Sequence, residues 1–216
     1  MKIIDLSLPL EHGQLNFPWD PKISIISHNS VQSIGYNMTQ ISMATHQGTH
    51  LDAPFHFFDD GATVDQLSLE RCIGPARCID LAPGSNLAPN TPITTEMLEP
   101  HAAAFEPGAR ILYRTGWNHM FGRPEYFTHF PTLELDAARW IASRKVALLG
   151  MDTPTPSKQW LEVHHILLAK GVEIIIVEGL SNMAALPARF TFIGLPLNIK
   201  GSDGSPIRAV AVVEEE

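Results

Sequence analysis

Val146-Ala147-Leu148-Leu149-Gly150-Met151 and Val172-Glu173-Ile174-Ile175-Ile176-Val177 are the two apolar runs on which the fold turns, and Trp160 to Lys170 between them reads as a helix. Short and apolar on both faces, each run has the pattern of a buried strand. Working outward, Ala109 to Arg114 is a third such strand and Asp136 to Arg144 a second helix, so the second half reads β-α-β-α-β. Strands of this kind pair in parallel under helical cover. Phe190 to Ile199 and Ile207 to Val213 look like antiparallel additions. Upstream, strands are expected over Lys2 to Leu8 and near Ile23 to Ser27, with an extended stretch over Asn37 to Thr45. Ala76 to Leu81 is a β-like run between Pro75 and Pro83, and Thr94 to Phe105 is helical with Thr95 as its start signal. The fold class is α/β, a mixed sheet with helices packed around it.

The composition supports a packed core. Of 216 residues, 44% are hydrophobic and 18% charged, enough apolar material for one domain of ordinary size. The 17 prolines and 15 glycines are scattered between apolar runs and mark no linker. We expect a single domain over residues 1–216, with residues 1–30 as a candidate oligomerisation arm and Glu214-Glu215-Glu216 as a solvated tail. Lys plus Arg total 15 against 23 for Asp plus Glu, a formal charge of -8 that argues against a nucleic-acid partner. No apolar run approaches the roughly 20 residues of a membrane span, and Met1-Lys2-Ile3-Ile4-Asp5 lacks the features of a signal peptide. The expectation is a cytoplasmic protein without membrane contact. The two cysteines, Cys72 and Cys78, fit neither a disulfide framework nor a zinc ribbon and read as reduced core residues.

The chemistry is concentrated in His46-Gln47-Gly48-Thr49-His50-Leu51-Asp52-Ala53-Pro54-Phe55-His56-Phe57. Its metal-competent side chains, His46, His50, Asp52 and His56, all fall at even positions, so an extended backbone presents them on one face. Gly48 and Pro54 oppose a continuous helix, and an extended, locally bent segment is expected. Imidazole and carboxylate donors suit Zn²⁺, Mn²⁺ or Fe²⁺, and the lack of thiolates favours a catalytic ion over a closed structural one. Downstream, His164-His165 lies in a helix, and Glu178 ends the strand Val172 to Val177, where α/β sheets line their ligand crevice. Adjacent histidines cannot both point the same way from a helix. Asp152 and Thr153 follow a strand, either near the site or as part of a turn.

The string His46-x-Gly48-Thr49-His50-x-Asp52-x-Pro54-x-His56-Phe57 resembles the signature of the cyclase-family metal hydrolases, of kynurenine formamidase and isatin hydrolase type. Gly150-Met151-Asp152-Thr153-Pro154, Val163-His164-His165-Ile166-Leu167-Leu168, Glu178-Gly179-Leu180-Ser181-Asn182 and Gly204-Ser205-Pro206-Ile207-Arg208-Ala209 share the family's character. The resemblance implies a swivelling β/α type fold and one or two divalent ions, Zn²⁺ or Mn²⁺. It places the first on His46, His50 and Asp52, and a second on His164 and Glu178 with Asp52 bridging; His165 is the alternative to His164. It further implies His56 as the catalytic acid/base, Phe17 and Trp19 beside the substrate, and a homo-oligomer, dimer or tetramer, whose N-terminal arm closes a neighbour's site. The local order Phe17-Pro18-Trp19-Asp20 departs from the family's usual Trp-Pro-Gly-Asp.

A divalent ion lowers the pKa of water and polarises a carbonyl, and a histidine beside it can carry the proton. The sequence has no Gly-x-Ser-x-Gly elbow, phosphate loop or dinucleotide fingerprint. The expected function is therefore hydrolysis of a C–N bond in a small amide, aryl formamide or lactam-like ring. Two alternatives stay open: a hydrolase or lyase acting on another small carbonyl compound, and a metal-binding module without turnover. Binding needs only the ligands, whereas hydrolysis also needs a proton carrier, and His56 is present.

Overall fold

The computed structural model describes residues 1–214; Glu215 and Glu216 of the expected tail lie outside the described residues. The sequence pattern leads to four adjacent parallel strands, β5 (Ile73–Asp80), β7 (Arg110–Arg114), β9 (Leu148–Met151) and β10 (Ile175–Glu178). The chain enters through β1 (Lys2–Asp5), the hairpin β2 (Ser24–Asn29) and β3 (Met38–Ser42), and β4 (His50–Asp52). Two short strands, β6 (Pro92–Ile93) and β8 (Thr132–Leu133), pair with each other outside the main sheet. It leaves through β11 (Arg189–Ile193), β12 (Gly204–Pro206) and β13 (Val210–Val213). The nine-stranded sheet has the order β1-β13-β11-β5-β7-β9-β10-β4-β12, and every pairing outside the parallel four is antiparallel.

Four α-helices are present among the described residues: α1 (Val31–Ile34), α2 (Thr95–Leu98), α3 (Leu135–Ser143) and α4 (Trp160–Leu168). The helix expected over Thr94 to Phe105 is split. It starts one residue after the Thr94 cap and gives way to a 3-10 turn over Glu99–Ala104, because Pro100 has no N–H and its ring crowds the carbonyl four residues back. β5 in turn reaches back past Pro75 to Ile73.

Side chains alternate across the parallel strands. Ile111, Tyr113, Leu149, Met151, Ile174 and Ile176 face one layer, where Ala138 and Ile141 of α3 and Val163 and Leu167 of α4 cover them. Leu112, Leu148, Ile175 and Val177 face the other. There the cover is not helical: the sheet curls, and Ile4 of β1, Leu51 of β4, Phe192 of β11 and Ala211 of β13 meet in one cluster. Burying each such side chain contributes about 1.5–3 kcal/mol. The curl is fastened where the extension of β1 reaches β10: Ser7 bridges Leu180, and Ser181 N–H donates to Leu6 O at 2.8 Å.

Residues 2–5 are thus an integral strand. What stands apart is the β2–β3 hairpin with α1, which exposes Ile26, Val31, Ile34, Tyr36, Met38 and Ile41. Cys72 and Cys78 are free and sit in the core or against it; burial pushes their thiols up to about 11 and about 12.

Gly179, directly after β10, has φ +65°, and a Cβ there would lie 2.7 Å from Gly48 O. Gly171 has φ +83° with open space around it. Gly171→Ala should therefore lose about 1–2 kcal/mol for the left-handed backbone alone, and Gly179→Ala about 1–3 kcal/mol more for the contact. Paired urea melts test this; equal losses would show that the Gly48 segment moves away freely.

Candidate metal centre

Strand register builds the site. β4 lies between β10 and β12, which sets Glu178 and Pro206 opposite His50, and Gly204 opposite Asp52. His50 and Asp52, two residues apart, share a face as the parity argument requires. His46 and His56 do not extend that strand: His46 sits in the preceding turn and His56 ends the 3-10 turn Pro54–His56. Both rings fold back over the strand, His46 stacked on His56 with centroids 3.8 Å apart. Thr49 locks the two halves together, since its hydroxyl donates to Gly179 O at 2.6 Å and accepts from Leu8 N–H at 2.8 Å. α4 supplies the last donor. His164, buried on its inner side, brings Nε2 to 3.4 Å from Asp52 and 3.5 Å from Glu178. His165 is exposed and packs against Phe57 and Phe58.

The hydrogen bonds fix which nitrogens face the centre. His50 Nδ1 donates to Gly48 O at 3.0 Å and His164 Nδ1 to Trp160 O at 2.6 Å. A carbonyl holding one ring nitrogen leaves the lone pair of the other for a cation. Nε2 of His50 accordingly stands 3.2 Å from Glu178 Oε2 and 3.5 Å from Asp52 Oδ1. His50 Nε2 and Glu178 Oε1 are buried with no hydrogen-bond partner among the described residues. Buried lone pairs left without a hydrogen-bond partner are costly unless something else satisfies them, and a divalent cation fits the set. Among the described residues, three groups have ligand atoms that lie within 4.8 Å of one another: His46, His50 and Asp52; Asp52, His164 and Glu178; and, half-buried beside them, His46, His56 and Asp203.

Protons on the imidazoles offset the buried carboxylates. Burial works against a charge on His46, but the pull of Asp52 and hydrogen bonds to Asp203 and Asp52 push its imidazole up to about 10. His164, likewise opposed by burial, is raised to about 9 by Asp52 and Glu178. Burial disfavours the Asp52 carboxylate, yet His46 and His164 hold it well below the usual range.

Asp203 belongs to the cluster and escaped the sequence reading. Its carboxylate accepts from His46 Nε2 at 2.9 Å and lies 3.4 Å from His56 Nδ1. The only signal was a lone acid in Gly201-Ser202-Asp203-Gly204, next to a quoted motif. Asp20, whose carboxyl burial raises against the attraction of His46, His50 and His56, was missed too. Asp152 is not in the centre: it accepts from Thr115 N–H and Oγ1 and from Gly116 N–H, a turn-holding role.

The centre opens into a cleft of about 510 Å³ that Asp20, Phe17, Trp19, Phe57, Phe127 and Trp160 help to line. Phe17 stacks on Trp19 at 6.0 Å and meets Phe127 edge-on at 5.1 Å, with Trp19 78% exposed at the mouth.

Comparison with known proteins agrees with this architecture. The model of the Cyclase family ("Putative cyclase") matches residues 4–158. Kynurenine formamidase of Bacillus cereus strain ATCC 14579 is 35% identical over 212 residues, covering 96% of this chain and 95% of its own. Kynurenine formamidase of Geobacillus thermodenitrificans is 34% identical over 212 residues, covering 95% of each chain. Among solved structures, an isatin hydrolase bound to the product analogue thioisatinate superposes with a TM-score of 0.87 at 25% identity, over 99% of this chain and 93% of that one. Matched by the family model over most of its length and by these relatives from end to end, the chain belongs to the cyclase family.

Proposed function

We propose that this chain is a metal-dependent hydrolase that cleaves the C–N bond of a small amide, with aryl formamides and lactam-like rings as its substrate class. One observation carries the reading: the buried, unsatisfied donors His50 Nε2 and Glu178 Oε1 flank Asp52 at the floor of an aromatic cleft. The names of the relatives, kynurenine formamidase and isatin hydrolase, support it.

His46, His50 and Asp52 would hold one ion, and His164 and Glu178 a second, with Asp52 between them. Nitrogen and oxygen donors without thiolate suit Zn²⁺ or Mn²⁺. When bound, such an ion lowers the pKa of water toward about 7 and polarises a carbonyl oxygen. His56 supplies the proton transfer. Its Nδ1 faces Asp203, so the other ring nitrogen is left to exchange protons in the cleft. Water adds to the carbonyl carbon and loses a proton to His56, which passes it to the leaving nitrogen as the C–N bond breaks. The products are a carboxylic acid and an amine. Phe17 and Trp19, stacked on each other at the mouth, would offer an aromatic wall to a flat ring.

The exposed apolar side chains of β2, α1 and β3 support a homo-oligomer, dimer or tetramer, in which this hairpin packs on a neighbour. The free, core-packed Cys72 and Cys78 suit a reducing cytoplasm.

Three outcomes are expected. His50→Ala should lose its metal by elemental analysis, whereas His56→Ala should keep much of it and lose roughly 10²-fold in turnover; undiminished metal in the first, or intact activity in the second, contradicts the assignment.

Metal uptake at pH 7 should release protons. Against the effect of burial, the neighbouring carboxylates push the imidazoles of His46 and His164 up to about 10 and about 9, above the ordinary 6.5. The stabilisation from their ion pairs is therefore whole below about 6.5 and fades as pH rises through 9 and 10, and a cation that replaces those protons binds more tightly over the same rise. Calorimetry in buffers of different ionisation enthalpy reads the release directly, and a buffer-independent heat would exclude it.

An N-formyl aniline should exceed an N-formyl alkylamine of similar size in kcat/KM, because aromatic walls favour flat apolar ligands. A preference for the alkyl compound would remove Phe17 and Trp19 from substrate contact.

A further inference from the structure

We propose that Asp203 is a positioning residue that fixes the rings of both His46 and His56; the inference rests on the hydrolase reading above. The carboxylate is itself held: Oδ1 accepts from Thr45 Oγ1 at 3.0 Å, and the backbone carbonyl of Asp203 accepts from Ala53 N–H at 2.9 Å. That second bond ties the loop before β12 to the residue after Asp52. Oδ2 accepts from His46 Nε2 at 2.9 Å and faces His56 Nδ1 at 3.4 Å. One oxygen thus addresses two stacked imidazoles.

The neighbouring residue shapes the same cradle. A Cβ on Gly204 would lie 2.5 Å from His46 Cε1 and 2.9 Å from its Nε2, so the His46 ring lies directly on glycine backbone with its edge against Asp203. Two consequences follow for the histidines. With Nε2 committed to Asp203, His46 turns Nδ1 toward Asp52, 2.8 Å away; an outer carboxylate on one ring nitrogen is the arrangement that orients a metal-ligating histidine and raises its basicity. His56, with Nδ1 facing the same carboxylate, is held in one ring orientation and one tautomer for proton exchange at its other nitrogen, as a base is when a third group orients it. Asp203 touches neither ion nor substrate in this account and acts through the two rings.

Asp203→Asn keeps the shape and the Thr45 bond while removing the charge. Its affinity for Zn²⁺, measured by competition with a chromogenic chelator, should fall roughly 10- to 100-fold. At saturating Zn²⁺, kcat on an N-formyl aniline should fall by about 10-fold or more with KM nearly unchanged. In a His56→Ala background the same substitution should lower kcat by no more than about 2-fold, because residues acting as a unit are not additive. Wild-type Zn²⁺ affinity and kcat in Asp203→Asn overturn the proposal, and a full additional loss on top of His56→Ala overturns its action through His56. Thr45→Val, which frees Oδ1 without touching any charge, should weaken Zn²⁺ in the same direction to a smaller degree and decides the matter should Asp203→Asn fail to fold; unchanged affinity there counts against the proposal. If the wild type cleaves no formamide or lactam, the hydrolase reading fails, and the Zn²⁺ affinities still judge Asp203.

Discussion

The pairing of β4 between β10 and β12 is the constraint on which the site depends. It brings Glu178 and His50 into register and places Asp52 beside the loop that carries Asp203. The result is a set of carboxylates and imidazoles, of which Asp52, Glu178, His50 and His164 are all nearly inaccessible to solvent. Burying such charges is costly unless they are paired. Two solutions exist in this chain: protons on His46 and His164, or a cation among the donors. The sheet tolerates the burden because β9 and residues 175–177 of β10 are apolar on both faces, and Thr49 fastens β4 to the Gly179 turn.

Much of this was legible in the sequence. The β-α-β-α-β half follows from apolar strands alternating with helices, and the antiparallel character of β11 and β13 from their position outside that alternation. His50 and Asp52 share a strand face because side chains repeat every two residues. The same parity grouped His46 and His56 for a reason the structure does not share, since turns on either side of β4, not an extended backbone, return their rings to it. Helical cover was expected, and it lies on one face of the parallel strands. A strand buried by helices on both sides and one buried by a helix and its own curled sheet carry the same two-faced apolar pattern, so periodicity cannot separate them.

Asp203 was invisible for a different reason. It is a single acid in a loop, without a periodic partner, and its place in the cluster comes from contacts with residues far away in sequence: 157 positions separate it from His46. Packing separates His164 from His165, because one face of α4 meets the core and the other meets solvent. Helix direction gives the alternatives, and only the neighbouring strands select one.

The curled sheet also explains how a rigid centre coexists with an adaptable mouth. Donors on β4, β10 and α4 are held by register and by carbonyl hydrogen bonds, whereas Phe17 and Trp19 come from the loop between β1 and β2 that lines the cleft. Residues on strands are placed by the fold, and loop residues are free to change without disturbing it. On the proposed reading, a centre of one geometry would serve different amides according to what the loop presents, with substrate choice assigned to the segment that crosses the mouth and the reaction type to the strands beneath it.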